Sequence, residues 1–144
     1  MTPGALALLL VLGLIAHGVG DYVLQSDWMA TQKTARWWPA VAHGTVYALP
    51  FAMLVRSPSA WVWAAGLLAI GGSHAVLDRY RVARYVIWAR NLGSPNSRPW
   101  SECSETGFPP EMPKWMAFWL MVIVDNIIHV LISSTVIILV ARFA

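Results

Sequence analysis

The sequence contains few charged residues for its length. Aspartate, glutamate, lysine and arginine make up 12% of the 144 residues, whereas soluble domains usually contain about 25%. Hydrophobic residues make up 58%, and the mean hydropathy is +0.56. So apolar a composition excludes an ordinary soluble domain, because too little polar surface is left to face water. It predicts a single integral membrane domain over residues 1–144.

Other scarcities exclude further classes. The only cysteine, Cys103, excludes an intramolecular disulfide and a zinc site built from cysteines. The net charge is only +3, and basic residues flank apolar stretches instead of forming a basic domain, so we expect no nucleic-acid partner. The first apolar stretch lacks a positively charged start and a cleavage site, so we expect it to be a retained helix and not a signal peptide.

Four stretches are long and apolar enough for membrane helices, which need about 20 such residues. They cover about residues 4–24, 37–55, 60–78 and 115–140. The sequence therefore predicts an all-α polytopic membrane protein with four transmembrane helices.

The connection between the third and fourth predicted helices, residues 79–114, has two parts. Basic and apolar residues alternate from Arg79 to Arg90, which predicts an amphipathic helix on the membrane surface that attracts anionic lipid head groups. A simple continuation of the third helix explains this pattern equally well. The remainder, residues 91–113, is rich in proline, serine and glycine and predicts an irregular loop.

Lysine and arginine are distributed unequally between the connections. Only Arg56 and Arg142, of 10 basic residues, lie on one side of the predicted helices; the others lie in the two long loops. The positive-inside rule places these loops in the cytoplasm and both termini outside a bacterial inner membrane.

Ionisable side chains inside the predicted spans point to chemistry. All four histidines lie there, with three aspartates: His17, Asp21, His43, His74, Asp78, Asp125 and His129. Each costs about 3 kcal/mol in a bilayer, so we expect these groups to meet and satisfy one another, or to bind an ion.

Spacing and depth support such a meeting. Six of these residues form three His/Asp pairs separated by four positions, which places both members on one helix face. His43 and Asp125 each lie about 9 Å inward from a tryptophan anchor. The small residues Ala65, Ala69 and Ser73 would let the third helix pack closely against its neighbours.

Imidazole and carboxylate together are ligands of zinc, manganese or iron, so we expect a divalent metal, with zinc first. Seven candidates exceed one tetrahedral ion. A dinuclear site and a single metal whose histidines are oriented by aspartates both fit. A water with its pKa lowered to about 7 would be the nucleophile, with Asp21 or Asp125 as the base. A proton relay and a polar core that only fixes helix packing use the same residue types.

Four segments also resemble a known family. The stretch "AHGVGDYVLQSDWMATQK" from Ala16 matches H-x-x-x-D-[YF]-x-L-Q followed by Trp and Lys, the opening motif of an uncharacterised (domain-of-unknown-function) family of small bacterial and phage membrane proteins. The match continues with "HGTVYALPF" at His43, "HAVLDRYR" at His74 and "DNIIH" at Asp125. The family more often has D-Q-x-x-H in the last motif, so Asn126 departs from it. The chain is also distantly similar to membrane-bound metal-dependent hydrolases, an analogy of architecture.

These observations lead to one functional expectation and two alternatives. We expect a metal-dependent hydrolase that acts on a lipid or lipid-linked substrate at the cytoplasmic interface. The first alternative is a proton or metal-ion conductor, which requires a polar path to the outer face. The second is a non-enzymatic phage or bacterial membrane protein whose polar core is structural.

Overall fold

A computed structural model describes residues 2–143, apart from the side chain of Phe143, and the secondary structure of this range is helical. Seven α-helices are named in chain order: α1 Pro3–Gly18, α2 Asp27–Gln32, α3 Trp37–Ala48, α4 Ala60–Tyr80, α5 Val82–Arg90, α6 Trp100–Cys103 and α7 Lys114–Phe143. Val19–Val23 forms a π-helical turn directly after α1, and Leu49–Met53 forms a 3-10 turn directly after α3. The predicted all-α class is confirmed.

Three segments of this range are long and apolar enough to cross a membrane. They are Pro3–Val23, Ala60–Tyr80 and Lys114–Arg142, with hydropathies of 1.9, 1.5 and 2.2. In the most apolar 18-residue stretch of each segment, less than a third of the residues are buried inside the protein. This is expected for helices that face lipid. The second predicted span, residues 37–55, is not among them. Its α-helix ends at Ala48 after only 12 residues, and a 3-10 turn follows. Pro50 in this turn lacks the backbone N–H that an α-helix would need there.

The described chain divides into two compact units. The first contains the residues up to Arg79 together with those from His129 onward. Its apolar core is contributed by α1, α3, the 3-10 turn, α4 and the end of α7: Ala16, Tyr47, Phe51, Val55, Ile70, Ile137 and Val140. Helices α3 and α4 approach at Gly44 and Gly71, where a Cβ on Gly71 would lie 2.6 Å from the Gly44 carbonyl oxygen. Ala65 and Ala69, expected to line the helix contact, are exposed.

The second unit, Tyr80–Ile128, contains α5, α6 and the first part of α7. Ala83 and Ile87 of α5 pack there with Phe108, Ala117 and Met121. Arg81 adopts a left-handed conformation, with φ of 51°, and this interrupts the helical backbone between α4 and α5. The basic segment is therefore a separate helix and not a continuation of α4. The expected irregular loop contains the short helix α6.

Candidate metal centre

Four of the seven sequence-predicted side chains converge in the first unit. Asp21 comes from the π turn, His43 from α3, and His74 and Asp78 from successive turns of α4; all four are buried. The two Nε2 atoms of the histidines lie 2.9 Å apart. Asp21 Oδ1 lies 3.1 Å from His43 Nε2 and 3.5 Å from His74 Nε2. Asp78 Oδ2 lies 3.4 Å and 3.1 Å from the same two nitrogens.

These separations match the edges of a tetrahedral coordination shell. Zinc lies about 2.0–2.2 Å from imidazole nitrogen and carboxylate oxygen, so tetrahedral ligand atoms are about 3.3–3.6 Å apart. The five separations given above, 2.9–3.5 Å, are slightly shorter than or equal to such edges, so the donors would move apart by a few tenths of an ångström around one ion. These four side chains could hold a metal ion.

The π turn explains why His17 and Asp21 do not act as one pair. The backbone N–H of Leu24 donates to the carbonyl of Val19, five residues earlier, which widens the helix at Asp21. Asp21 lies in the donor group, whereas His17 Nδ1 and the Tyr47 hydroxyl share a 2.9 Å hydrogen bond. Single π turns occur frequently at functional sites, and residue spacing alone gave no sign of this one.

The remaining predicted residues lie outside the four donors. His129 Nε2 is 3.6 Å from Asp78 Oδ1, so one oxygen of Asp78 belongs to the donor group and the other faces His129. Such an outer partner can orient a ligating carboxylate. Asp125 is partly buried on the portion of α7 that belongs to the second unit.

Tyr47 positions one of the donors. Its ring is buried and stacks on the imidazole of His74, with centroids 3.6 Å apart and planes 15° from parallel. Its hydroxyl is held by His17, as described above. Tyr47 therefore restricts the rotation of His74, and His17 contributes to the site through Tyr47.

Lys33 is the one member of the site that sequence reasoning treated only as a cationic flank. Its Nζ lies 2.9 Å from Asp78 Oδ2, 3.2 Å from His43 Nε2 and 3.8 Å from Asp21 Oδ1. Lys33 directly follows α2, whose N-terminus is capped by Ser26. The Lys33 side chain is 16% exposed. Two carboxylates and one ammonium leave a net charge of −1 when the histidines are neutral. The lysine of the opening motif was the available signal.

The outer nitrogens of the two central histidines are less well satisfied. Nδ1 of His43 and Nδ1 of His74 are buried and meet no hydrogen-bond partner within residues 2–143. Ligation through Nε2 puts a proton on each Nδ1, where metal-binding histidines usually donate to an oxygen. His43 and His74 can therefore bind a metal through Nε2, but each then buries an Nδ1–H group that has no hydrogen-bond acceptor among the described residues, which costs stability.

Comparison with known proteins gives the family of the chain. The profile of the family described as "Protein of unknown function (DUF3307)" matches residues 9–143. The chain belongs to this family. No curated protein and no solved structure matches it. Membership of an uncharacterised family agrees with the predicted resemblance to such a family. Membership by itself assigns no activity to the chain.

Proposed function

We propose that this DUF3307 protein is a metal-dependent hydrolase of the bacterial inner membrane that cleaves a lipid or lipid-linked ester or amide. The observation that carries the proposal is the set of donor separations of 2.9–3.5 Å between two imidazoles and two carboxylates. Zinc is the first candidate because it accepts both ligand types in tetrahedral geometry. Manganese and iron are the other candidates.

Three donors are assigned as ligands and one as the general base. His43, His74 and Asp78 come from regular turns of α3 and α4, which hold them rigidly. Asp21 comes from the π turn, whose backbone is easier to adjust. Catalytic zinc sites have three protein ligands and one open position. Zinc held by His43, His74 and Asp78 would leave its fourth position to a water and lower the pKa of that water to about 7. Asp21 would then lie beside this position as the base and would not be a ligand.

The depth of the donors supports a lipid substrate. Asp21 lies two residues before the end of the span Pro3–Val23, and Asp78 lies two residues before the end of Ala60–Tyr80. At about 1.5 Å per residue, both are about 3 Å from a span end. This is the depth of the membrane interface, where the ester groups of lipids lie. In this proposal α3 and its 3-10 turn cross as a fourth span, and both termini are outside the cytoplasm.

Lys33 supports one alternative, a structural polar core without metal. Its ammonium already lies within ion-pair distance of both carboxylates, and paired charges can exist in a membrane interior. This alternative predicts a folded protein that neither retains metal nor hydrolyses lipid. The two functions therefore differ in measurable properties.

Hydrolysis and metal retention can be tested together. The full chain, loaded with zinc, is incorporated into vesicles of bacterial lipid extract, and mass spectrometry follows each lipid over time. We expect zinc-dependent loss of an ester- or amide-linked lipid with matching hydrolysis products. Asp21→Asn should retain zinc and lose at least 100-fold in rate, because only the base is removed. Asp78→Asn should lose both zinc and activity.

Two results would contradict the assignment. If Asp21→Asn hydrolyses lipid at the wild-type rate, then Asp21 is not the base. If zinc-loaded protein turns over none of the lipids in the extract, a hydrolase of membrane lipids is wrong, even where the metal is retained.

A further inference from the structure

A second polar site lies in the unit Tyr80–Ile128, and none of the four metal-donor residues lines it. It is a pocket of about 440 Å³, within the roughly 300–1,000 Å³ typical of small-ligand sites. Two cations and two carboxylates line it: Arg81, Lys114, Glu102 and Glu105. The pocket is thus built with charges of both signs.

None of these four charges forms a close ion pair within the described chain, although Glu105 and Asp125 attract Arg81 from a greater distance. Within residues 2–143, no opposite charge lies within 4.0 Å of Arg81, Lys114 or either glutamate. Arg81 is partly buried, and one guanidinium nitrogen is 3.5 Å from Met121 Sδ. Burial, and secondarily the charge of Arg84, lower the pKa of Arg81, while Glu105 acts in the opposite direction. A half-desolvated guanidinium of this kind gains most from an external anion.

The backbone at Arg81 adds an independent indication. Its left-handed conformation, with φ of 51°, is costly for a residue with a side chain, by about 1–3 kcal/mol. Glycine or asparagine would adopt it more easily. An arginine at this position lowers the stability of the fold but places a cation at the pocket. Strained residues of this kind cluster at ligand sites.

The same pocket is lined by aromatic residues at the start of a membrane span. Trp115 and Trp119 lie in the first two turns of α7 and are 66% and 59% exposed. Tryptophan is enriched where membrane helices meet the head groups. Because α7 is a candidate span from Lys114 onward, the charged lining is at head-group depth.

We propose that this pocket binds the head group of a phospholipid that carries a phosphodiester and a primary ammonium, as in phosphatidylethanolamine. Arg81 and Lys114 would donate to the phosphate oxygens, and Glu102 and Glu105 would accept from the ammonium. A primary ammonium donates three hydrogen bonds to such carboxylates, whereas the trimethylammonium of phosphatidylcholine donates none. Phosphatidylglycerol has no cation to place beside the glutamates.

This selectivity distinguishes a built site from a merely basic surface. The basic segment of residues 79–90 alone would favour anionic lipids. The pocket instead predicts that the zwitterionic lipid with N–H groups binds best. The inference does not depend on the proposed hydrolase, since it uses none of the metal donors.

Native mass spectrometry of the full chain in mild detergent measures this directly, with defined amounts of each lipid added. Phosphatidylethanolamine should bind at least fivefold more tightly than phosphatidylcholine or phosphatidylglycerol. Glu105→Gln should remove most of its advantage over phosphatidylcholine. Lys114→Gln, an exposed change that should not disturb folding, should weaken phosphatidylethanolamine and phosphatidylcholine alike. Asp27→Asn, which removes an exposed carboxylate charge in the first unit, should have no effect.

Three outcomes would overturn the proposal. The first is equal or tighter binding of phosphatidylglycerol, which would indicate a basic surface only. The second is an unchanged lipid preference in Glu105→Gln. The third is competition by soluble glycerophosphoethanolamine at the same concentration as the lipid, which would indicate a water-soluble ligand. For a lipid site, we expect the soluble compound to compete with the lipid only at a concentration at least 100-fold higher.

Discussion

Replacing Lys33 by methionine should tighten metal binding. The Lys33 ammonium lies 2.9 Å from Asp78 Oδ2 and 3.2 Å from His43 Nε2, directly beside the position that an ion would occupy. A divalent ion and an ammonium about 3 Å apart repel by about 11 kcal/mol at an effective dielectric constant of 20. Lysine and metal therefore exclude each other, and the lysine side chain has to move when metal binds.

The size of the effect follows from the ion pairs that are lost in this movement. Breaking a buried ion pair costs about 3–5 kcal/mol, but Lys33 is 16% exposed and regains hydration when it leaves, so we take about 1.5–3 kcal/mol. Since 1.4 kcal/mol is a factor of ten in affinity, Lys33→Met should bind zinc about 10- to 100-fold more tightly. Without metal, the same variant should be less stable than the wild type.

A competition titration against a fluorescent zinc chelator, with metal-stripped protein in detergent, gives the affinities. Lys114→Met is the matched control, because it removes the chain's other lysine from the second unit, and it should bind zinc as the wild type does. An unchanged affinity in Lys33→Met would show that the lysine and the metal do not compete. A weaker affinity would show that Lys33 helps to bind the metal, and the reasoning would be refuted.

Three further predictions concern the contact between α3 and α4, the tyrosine that stacks on His74, and the buried cysteine of the second unit. Gly71→Val should separate His43 from His74, because the added Cβ meets the α3 backbone, and the zinc content per chain should fall; Gly72→Val, with open space at its Cβ, should retain zinc. Tyr47→Phe keeps the stacking on His74 but removes the hydroxyl from His17, so zinc should be retained while thermal unfolding shows a loss of about 1–3 kcal/mol. Burial raises the pKa of the Cys103 thiol, so less thiolate is present at a given pH; alkylation by iodoacetamide at pH 8 should be at least tenfold slower in the folded protein than after denaturation.

The membrane class and much of the site follow from composition and spacing. Few charges and long apolar stretches predicted helices facing lipid, and the four-residue spacing of His74 and Asp78 placed both in the donor group. The requirement that ionisable groups in a membrane satisfy one another brought in His43 and Asp21. The structure brings these four side chains together and has three helices long and apolar enough to span a membrane. The predictions behind both features depend on helix periodicity and on the cost of charge burial, which are local or general.

Other features depend on tertiary geometry that spacing does not encode. The π turn moves Asp21 away from the face of His17, and no residue in that turn signals it. Lys33 was interpreted as a topological flank, because its role requires α2 to carry it back to the ends of α1 and α4. The separation of α4 and α5 depends on one left-handed residue, Arg81, whose side chain would not predict that conformation.

The central claim is that two imidazoles and two carboxylates surround one divalent ion, and metal content tests it most directly. The full chain is purified in mild detergent without chelator or nickel affinity, and its metals are quantified by mass spectrometry beside His43→Ala and His17→Gln. We predict about one equivalent of zinc, manganese or iron in the wild type and in His17→Gln, and none in His43→Ala. Folded wild-type protein without bound metal, or loss of metal in His17→Gln but not in His43→Ala, would contradict the account.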